Sequence, residues 1–469
     1  MDEIKLKSFP KDFIFGVSTS AYQIEGGYDA DGKGENIWDH YTNKYPKLFK
    51  NANGNIACDS YTKFREDVAL VDDLGVDFYR FSVSWSRILP NGHCNVINEK
   101  GIQYYNNIID ALTDKGIQPM ITMFHWDLPM PLQRLGGWTN PLIVQWFKDY
   151  ARILFSRFGD RVKLWVTVNK SETGYCDDGF PPFINQPGIA DYLLNHHTLL
   201  AHAETYHMYK EEFLAKQHGN VGVVLDGRWY TAGSKSEANL RATERARAFE
   251  VGLFLNPLCR GDYPLVVKQR VAYRSNEEGY SKSRLPEFSE KEMEFIKGSF
   301  DFIGLNVYTT MLVKNIDEPD FSLTSAEHDM KAKVYQDAKW ESSEAVHWLK
   351  VTPDGARNLL KWVKDSYGNP EIIITENGFA DSGGIEDVKR IDYLQRYLCA
   401  ILDAILIDGV RVKGYSAWSL LDNFEWTYGY SAKFGLIHVD FTDPNRKRTA
   451  KKSAEWYKNL TRDRMILEG

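Results

Sequence analysis

Glu376 stands in Ile374-Thr375-Glu376-Asn377-Gly378, at the end of an apolar run that begins at Ile372. A carboxylate that ends a strand projects from a rigid element. It serves there either as a nucleophile toward a bound molecule or as the structural partner of a cation such as Arg80. Arg80 and Tyr308 fall in two other β-rich runs and offer the charge and hydrogen bond that hold such a carboxylate ionised. Asp422-Asn423-Phe424-Glu425-Trp426 follows a further apolar run and sets carboxylates among large rings with nothing basic adjacent in sequence. His125, Trp126 and Trp418 each read singly as ordinary core residues. Their joint placement with the carboxylates describes a pocket with an aromatic floor and fixed polar groups, which matches a ligand whose hydroxyls point in set directions.

The segments Ala21-Tyr-Gln-Ile-Glu-Gly-Gly27, Phe124-His-Trp-Asp-Leu-Pro129, Ile374-Thr-Glu-Asn-Gly378 and Asp422-Asn-Phe-Glu-Trp426 together resemble the family 1 glycoside hydrolases along almost the whole chain. The resemblance implies a (β/α)₈ barrel that hydrolyses terminal β-D-glucosides with retention, through a glycosyl-Glu376 intermediate. It places Gln23, His125, Asn169 and Glu425 on the sugar hydroxyls, with Trp126 in the same pocket, Trp418 under the ring and Trp426 beside it. Trp348 resembles the tryptophan on the aglycone side, and Arg80 and Tyr308 support the nucleophile, with Tyr308 also lining the substrate pocket. Whether glucose, galactose or fucose is preferred is not legible, because Gln23 and Glu425 accept more than one epimer.

The resemblance breaks at one position. The family pattern Thr-Phe-Asn-Glu-Pro reads here Thr167-Val168-Asn169-Lys170-Ser171, so a lysine stands where the acid/base carboxyl is expected. A retaining mechanism needs that second carboxyl ~5–5.5 Å from the nucleophile, to protonate the departing oxygen and then to activate water. An ammonium with an ordinary pKa near ~10.4 does neither well. Lys170 is expected instead to pair with Glu376. Downstream, Gly174-Tyr175 arrives early and Phe180-Pro-Pro182 follows, which reads as a short deletion that reshapes the aglycone side. Three alternatives remain open. The chain acts as a thioglucosidase on substrates whose leaving group needs no proton, as the similar plant myrosinases do with a glutamine there; or Glu172, Asp177 or Asp178 substitutes as acid; or the pocket binds a glucoside without turning it over. Against the first, Tyr308-Thr309-Thr310-Met311 lacks the arginine that sulfate-binding relatives place after that tyrosine.

Eight β-rich runs must position these residues: 13–22, 77–85, 118–126, 162–169, 220–225, 302–308, 371–376 and 414–420. Amphipathic stretches such as 60–74, 99–115, 142–158 and 192–213 lie between them, as crossovers between parallel strands require. The pattern predicts one α/β domain over residues 1–469, a single barrel with its chemistry at the C-terminal ends of the strands. The most polar interval, from about Lys314 to Ser343, reads as a long loop at the mouth. The aromatic content of 14%, with 13 Trp and 26 Tyr, suits a deep pocket. A formal charge of −7 argues against a nucleic-acid partner. No apolar run is long enough to span a bilayer, and the N-terminal residues lack the pattern of a signal peptide, so a cytoplasmic protein is expected. Cys58, Cys94, Cys176, Cys259 and Cys399 are scattered without metal-ligand spacing. The expected partner is a small β-glucoside, with no cofactor, no metal and no membrane, and with homodimerisation open.

Overall fold

The computed structural model describes residues 6–169, 182–184, 186–317 and 324–467. Its centre is a closed barrel of eight parallel strands: β1 (Ile14–Ser18), β2 (Phe78–Ser82), β3 (Gln118–Phe124), β4 (Leu164–Asn169), β5 (Asn220–Asp226), β6 (Phe302–Asn306), β7 (Ile372–Asn377) and β8 (Val412–Trp418). Each strand pairs with its neighbours in sequence, and β8 returns to β1 to close the ring. All eight fall within one or two residues of the expected runs or inside them. The reason is local: each is a short, β-branched or aromatic stretch buried on both faces, which is what a parallel strand under helices requires.

The crossovers include α1 (Ser60–Asp73), α2 (Glu99–Thr113), α3 (Ile143–Phe158), α4 (Ala190–Glu212), α5 (Pro353–Tyr367), α6 (Val388–Leu406) and α7 (Lys452–Asp463). Their apolar stripes cover the outside of the barrel. In α3, Phe147, Tyr150, Ala151, Leu154, Phe155 and Phe158 are all buried, spaced three, four and seven residues apart. A second cluster, Phe78, Met120, Leu164, Val166, Val224, Phe302 and Ile373, draws on six of the eight strands. Glycines make room for its rings: a Cβ on Gly16 would lie 2.4 Å from the Phe78 ring, and one on Gly222 2.6 Å from that of Phe302.

The polar interval after β6 differs from its expected reading as loop. Its described residues include a strand, Ala332–Tyr335, antiparallel to Thr310–Asn315, which pairs in turn with Trp229–Ala232. A short helix, Ala326–Met330, precedes that strand, its first turn capped by the Ser325 side chain. The helix buries Asp329, which accepts hydrogen bonds from Tyr192 (2.7 Å) and Arg284 (2.8 Å). Alternate lysines hide the strand in the sequence, because Ala332 is buried while Lys333 faces solvent.

Candidate active site

The mouth of the barrel gathers side chains from seven of the eight strands or the segments that follow them. Glu376 lies near the end of β7, and Arg80 reaches it from within β2. Arg80 Nη1 donates to Glu376 Oε1 (2.8 Å), and the Tyr308 hydroxyl donates to Oε2 (2.9 Å). Both carboxylate oxygens are therefore engaged, and the Arg80–Glu376 ion pair is nearly inaccessible to water. Burial pushes the Glu376 carboxyl above its ordinary pKa against the pull of Arg80 and Tyr308, with the charge of Asp226 adding to the upward push.

Arg80 is the organising cation. Besides Glu376 it donates from Nε to Thr122 Oγ1 (3.0 Å) and from Nη2 to Asn169 Oδ1 (2.9 Å). Asn306 Nδ2 donates to the same Asn169 oxygen (2.9 Å), and Asn306 Oδ1 accepts from Thr375 Oγ1 (2.8 Å). The amide of Asn169, the last residue of β4, is thus locked with its NH₂ turned toward His125 Nε2, 3.4 Å away. Burial and the Arg80 charge push His125 well below its ordinary pKa, so the ring is neutral at physiological pH. Its Nδ1 is buried with no hydrogen-bond partner among the described residues.

Gln23 ties the first mouth segment to the last. Ser20 Oγ donates to Gln23 Oε1 (2.6 Å), and Gln23 Nε2 donates to Asn423 Oδ1 (3.0 Å), the Phe424 carbonyl (2.9 Å) and Glu425 Oε2 (3.3 Å). Burial, then the neighbouring Glu376 charge, pushes Glu425 up to about 8 against the Gln23 hydrogen bond. Two carboxyl groups close enough to feel each other share this pocket with one arginine.

The rings form a continuous wall. Trp418 stacks on His125 with centroids 5.8 Å apart and an interplanar angle of 16°. Trp426 lies 6.2 Å from His125 and 4.9 Å from Trp126. Trp126 (φ 74°) and Trp426 (φ 49°) both adopt left-handed backbone conformations. Each costs roughly 1–3 kcal/mol for a bulky residue and persists only where its surroundings over-determine it. Here the Trp126 indole donates to the Asn169 carbonyl (3.1 Å), the Trp38 indole donates to the Trp126 carbonyl (3.1 Å), and Trp38 packs 4.4 Å from Trp426. Trp348 stands at the rim, 37% exposed, edge-on to Tyr308 at 5.6 Å.

The structure therefore brings Gln23, Arg80, His125, Trp126, Asn169, Tyr308, Trp348, Glu376, Trp418, Glu425 and Trp426 to one mouth. Lys170 and the alternatives Glu172, Asp177 and Asp178 lie outside the described residues, as does the expected Lys170–Glu376 pair. Asp422 departs from the sequence reading. It points away from the pocket chemistry into a buried ion pair with Lys451 (2.7 Å) and also meets His438 (3.1 Å), so the cation missing from its sequence neighbours arrives from the start of α7. Trp38, Thr122 and Asn306 were not singled out in sequence. A signal for Trp38 existed in Asn36-Ile-Trp-Asp39, a capping box with both reciprocal hydrogen bonds formed. Among the described residues, no group of three or more His, Cys, Asp or Glu is placed to hold a metal ion, and no helix is long and apolar enough to cross a membrane.

Comparison with known proteins agrees with the barrel. Residues 5–465 match Glycosyl hydrolase family 1. Myrosinase 1 of Brevicoryne brassicae is 45% identical, over 96% of this chain and 98% of the relative. The cytosolic β-glucosidase of Homo sapiens is 43% identical, over 97% and 98%. Among solved structures, an aphid myrosinase superposes with a TM-score of 0.93 at 44% identity, covering 97% of this chain and 99% of its own. A rice β-glucosidase mutant in a covalent complex with glucose superposes with a TM-score of 0.90 at 37% identity, covering 96% and 98%. With a family match across nearly its whole length and relatives of this identity, the chain belongs to glycosyl hydrolase family 1.

Proposed function

We propose that this single-domain barrel is a retaining β-glucosidase-type hydrolase acting on terminal β-D-glucosides, with Glu376 as the nucleophile and with turnover narrowed by Lys170. One observation carries the reading: a buried carboxylate held by Arg80 and Tyr308 sits beside Gln23, His125, Asn169 and Glu425. Attack of Glu376 on the anomeric carbon would form a glycosyl ester, and its two hydrogen bonds orient it for that attack. Gln23, His125, Asn169 and Glu425 hold the sugar hydroxyls, Trp418 and Trp426 pack on the ring, and Trp126 and Trp348 extend the wall toward the rim. The neutral imidazole of His125 stands with its Nε2 toward the Asn169 amide, in the same group of polar side chains.

Lys170 in the acid/base place limits what is cleaved. Loss of general acid/base help costs roughly 10²–10⁴-fold on ordinary glucosides and much less where the leaving group departs unaided. The similarity to proteins named myrosinase favours a second reading, a thioglucosidase acting on good leaving groups. The test is intact mass after incubation with a 2-deoxy-2-fluoro-glucoside bearing an activated leaving group. A stable glycosyl adduct that maps to Glu376 is expected. Absence of adduct while glucose still binds would leave a non-hydrolytic glucoside-binding protein in its place.

A further inference from the structure

Trp348 lies in a turn at the rim, and hydrogen bonds from two sides fix that turn. Ser342 and Lys350 form an isolated antiparallel bridge, and the Ser343 N–H donates to the Leu349 carbonyl (3.0 Å), so the chain folds back on itself around Trp348. The inner side is held by Ser343 Oγ, which donates to the Ala380 carbonyl (2.6 Å), and by the buried side chains of Val346 and Leu349. The outer side is tied to Thr309, the residue after Tyr308. Lys350 N–H donates to Thr309 Oγ1 (3.2 Å), and Gln336 Nε2 donates both to that oxygen (3.0 Å) and to the Trp348 carbonyl (2.8 Å). One amide therefore bridges the indole-bearing turn and the strand end that holds the nucleophile's tyrosine.

Regular structure places that amide. Gln336 directly follows the strand Ala332–Tyr335, whose last pair sets Tyr335 against Leu312, so the same register carries Gln336 past Met311 to the Thr310 carbonyl, which it also reaches (3.3 Å). The helix before the strand is anchored through buried Asp329 and Arg284. A side chain that reaches out from a paired strand holds its partner more closely than one on a free loop. Its two N–H groups suit the task, since a hydroxyl oxygen and a carbonyl both accept. The Trp348 ring, 37% exposed, meets Tyr308 at 5.6 Å and 89°, a corner suited to a flat apolar group.

Resting on the reading above that sets Trp348 at the aglycone side of a glucoside pocket, we propose that Gln336 and Thr309 are positioning residues for aglycone specificity. Their hydrogen bonds hold the Trp348 turn against Tyr308 and so set the affinity for an aryl aglycone, while neither touches the sugar. Without them the half-buried indole gains freedom in the unliganded protein, and each binding event must order it again, which weakens binding. The sugar-side groups have separate supports. Gln23 is bonded to Ser20, Asn423 and Glu425, and Asn169 to Arg80 and Asn306, so affinity for the sugar alone does not depend on the Gln336 amide.

The test measures binding rather than turnover. Calorimetry on the full-length protein gives Kd for glucose and for phenyl β-C-glucoside, whose sugar-to-ring carbon bond is not hydrolysed. Gln336→Met keeps the length of the side chain and loses the amide. It is expected to weaken the phenyl compound by about 3–10-fold, the range of one neutral hydrogen bond, and to leave glucose within about twofold. Thr309→Val should lose affinity in the same direction. In a Trp348→Ala background, Gln336→Met should have no further effect on either ligand beyond about twofold, because the ring it positions is gone. Equal losses on both ligands, an unchanged phenyl affinity, or a loss that persists in the Trp348→Ala background overturns the assignment, as does a wild type that binds the phenyl compound no better than glucose. Trapping with the 2-fluoro reagent keeps the two readings apart. A wild type that labels on Glu376 while Gln336→Met binds as wild type does removes Gln336 alone; a wild type that does not label but shows the expected binding pattern removes the hydrolytic reading and supports Gln336. Glucose binding by Gln336→Met itself verifies that the variant is folded.

Discussion

Removing a single hydroxyl, in Tyr308→Phe, isolates one of the two hydrogen bonds that hold Glu376. The change is clean because other contacts place the ring. The Tyr308 carbonyl accepts from the hydroxyls of Tyr393 and Tyr397, both at 2.8 Å, and the ring packs edge-on against Trp348 and Phe434. What is lost is the donation to Glu376 Oε2 at 2.9 Å, a hydrogen bond to a charged group worth roughly 1.5–3 kcal/mol. At 1.36 kcal/mol per tenfold, full expression of that loss slows formation of the glycosyl ester by roughly 10–150-fold. The pH dependence gives a second, independent readout. Burial already holds the Glu376 carboxyl above its ordinary value, and Tyr308 is one of the groups pulling it down. Without the hydroxyl the carboxyl rises further, the ionised nucleophile is reached only at higher pH, and the acid limb of the rate profile moves in the alkaline direction. The assay is the rate of trapping by an activated 2-deoxy-2-fluoro-glucoside as a function of pH, which reports the first step without requiring an acid. An unchanged rate together with an unmoved acid limb would refute the claim that this carboxylate is the reacting group.

Lys170→Glu is expected to raise activity toward unactivated β-glucosides, by up to about 10²-fold, measured as kcat/KM on an alkyl glucoside. No gain would point to the reshaped segment after position 170 as a second lesion. For Glu425, which burial and Glu376 push up to about 8, the folded state holds its proton more tightly than the unfolded chain, so its contribution to stability is present below the ordinary carboxyl range and lost as pH rises through about 8. Glu425→Gln should therefore flatten the fall in melting temperature between pH 5 and pH 8, and an unaltered slope would contradict the shift. Lys451→Met removes the ammonium from the buried Asp422 carboxylate, leaving His438 and the Gly435 N–H in contact with it, and should cost roughly 3–5 kcal/mol in denaturant unfolding, since breaking a buried pair strands a charge. A loss below about 1 kcal/mol would show that the pair is replaceable. Burial alone would raise Asp422, but His438 and Lys451 hold it below the ordinary range, so its contribution is present above that range and lost as pH falls through the depressed value.

The barrel was legible because its signal is local. Each strand is a short apolar run and each crossover an amphipathic helix, and neither needs knowledge of a distant partner to be seen. The mouth residues were legible for a related reason: Glu376, Asn169 and Trp418 end or nearly end their strands, and a closed parallel barrel brings all strand ends to one rim. The strand at Ala332–Tyr335 was not legible, because a short edge segment rich in lysine satisfies only part of a strand pattern and owes its form to Thr310–Asn315 beside it.

The sequence by itself determined the order of elements, the end of the barrel at which the pocket residues gather, the carboxylate that the family resemblance proposes as nucleophile, and the lysine at position 170. Only the tertiary structure decided which groups meet. Arg80 lies 296 residues from Glu376 along the chain yet donates to it, and the Gln23 amide reaches Asn423 and Glu425 across some four hundred residues. Asp422 and Glu425 stand three residues apart, yet one is drawn into an ion pair with Lys451 and the other faces the pocket beside Glu376. Whether a carboxylate serves charge balance or chemistry is set by the cation and the water around it. Closing the ring of strands fixes both, at a separation in sequence where no local pattern carries the information.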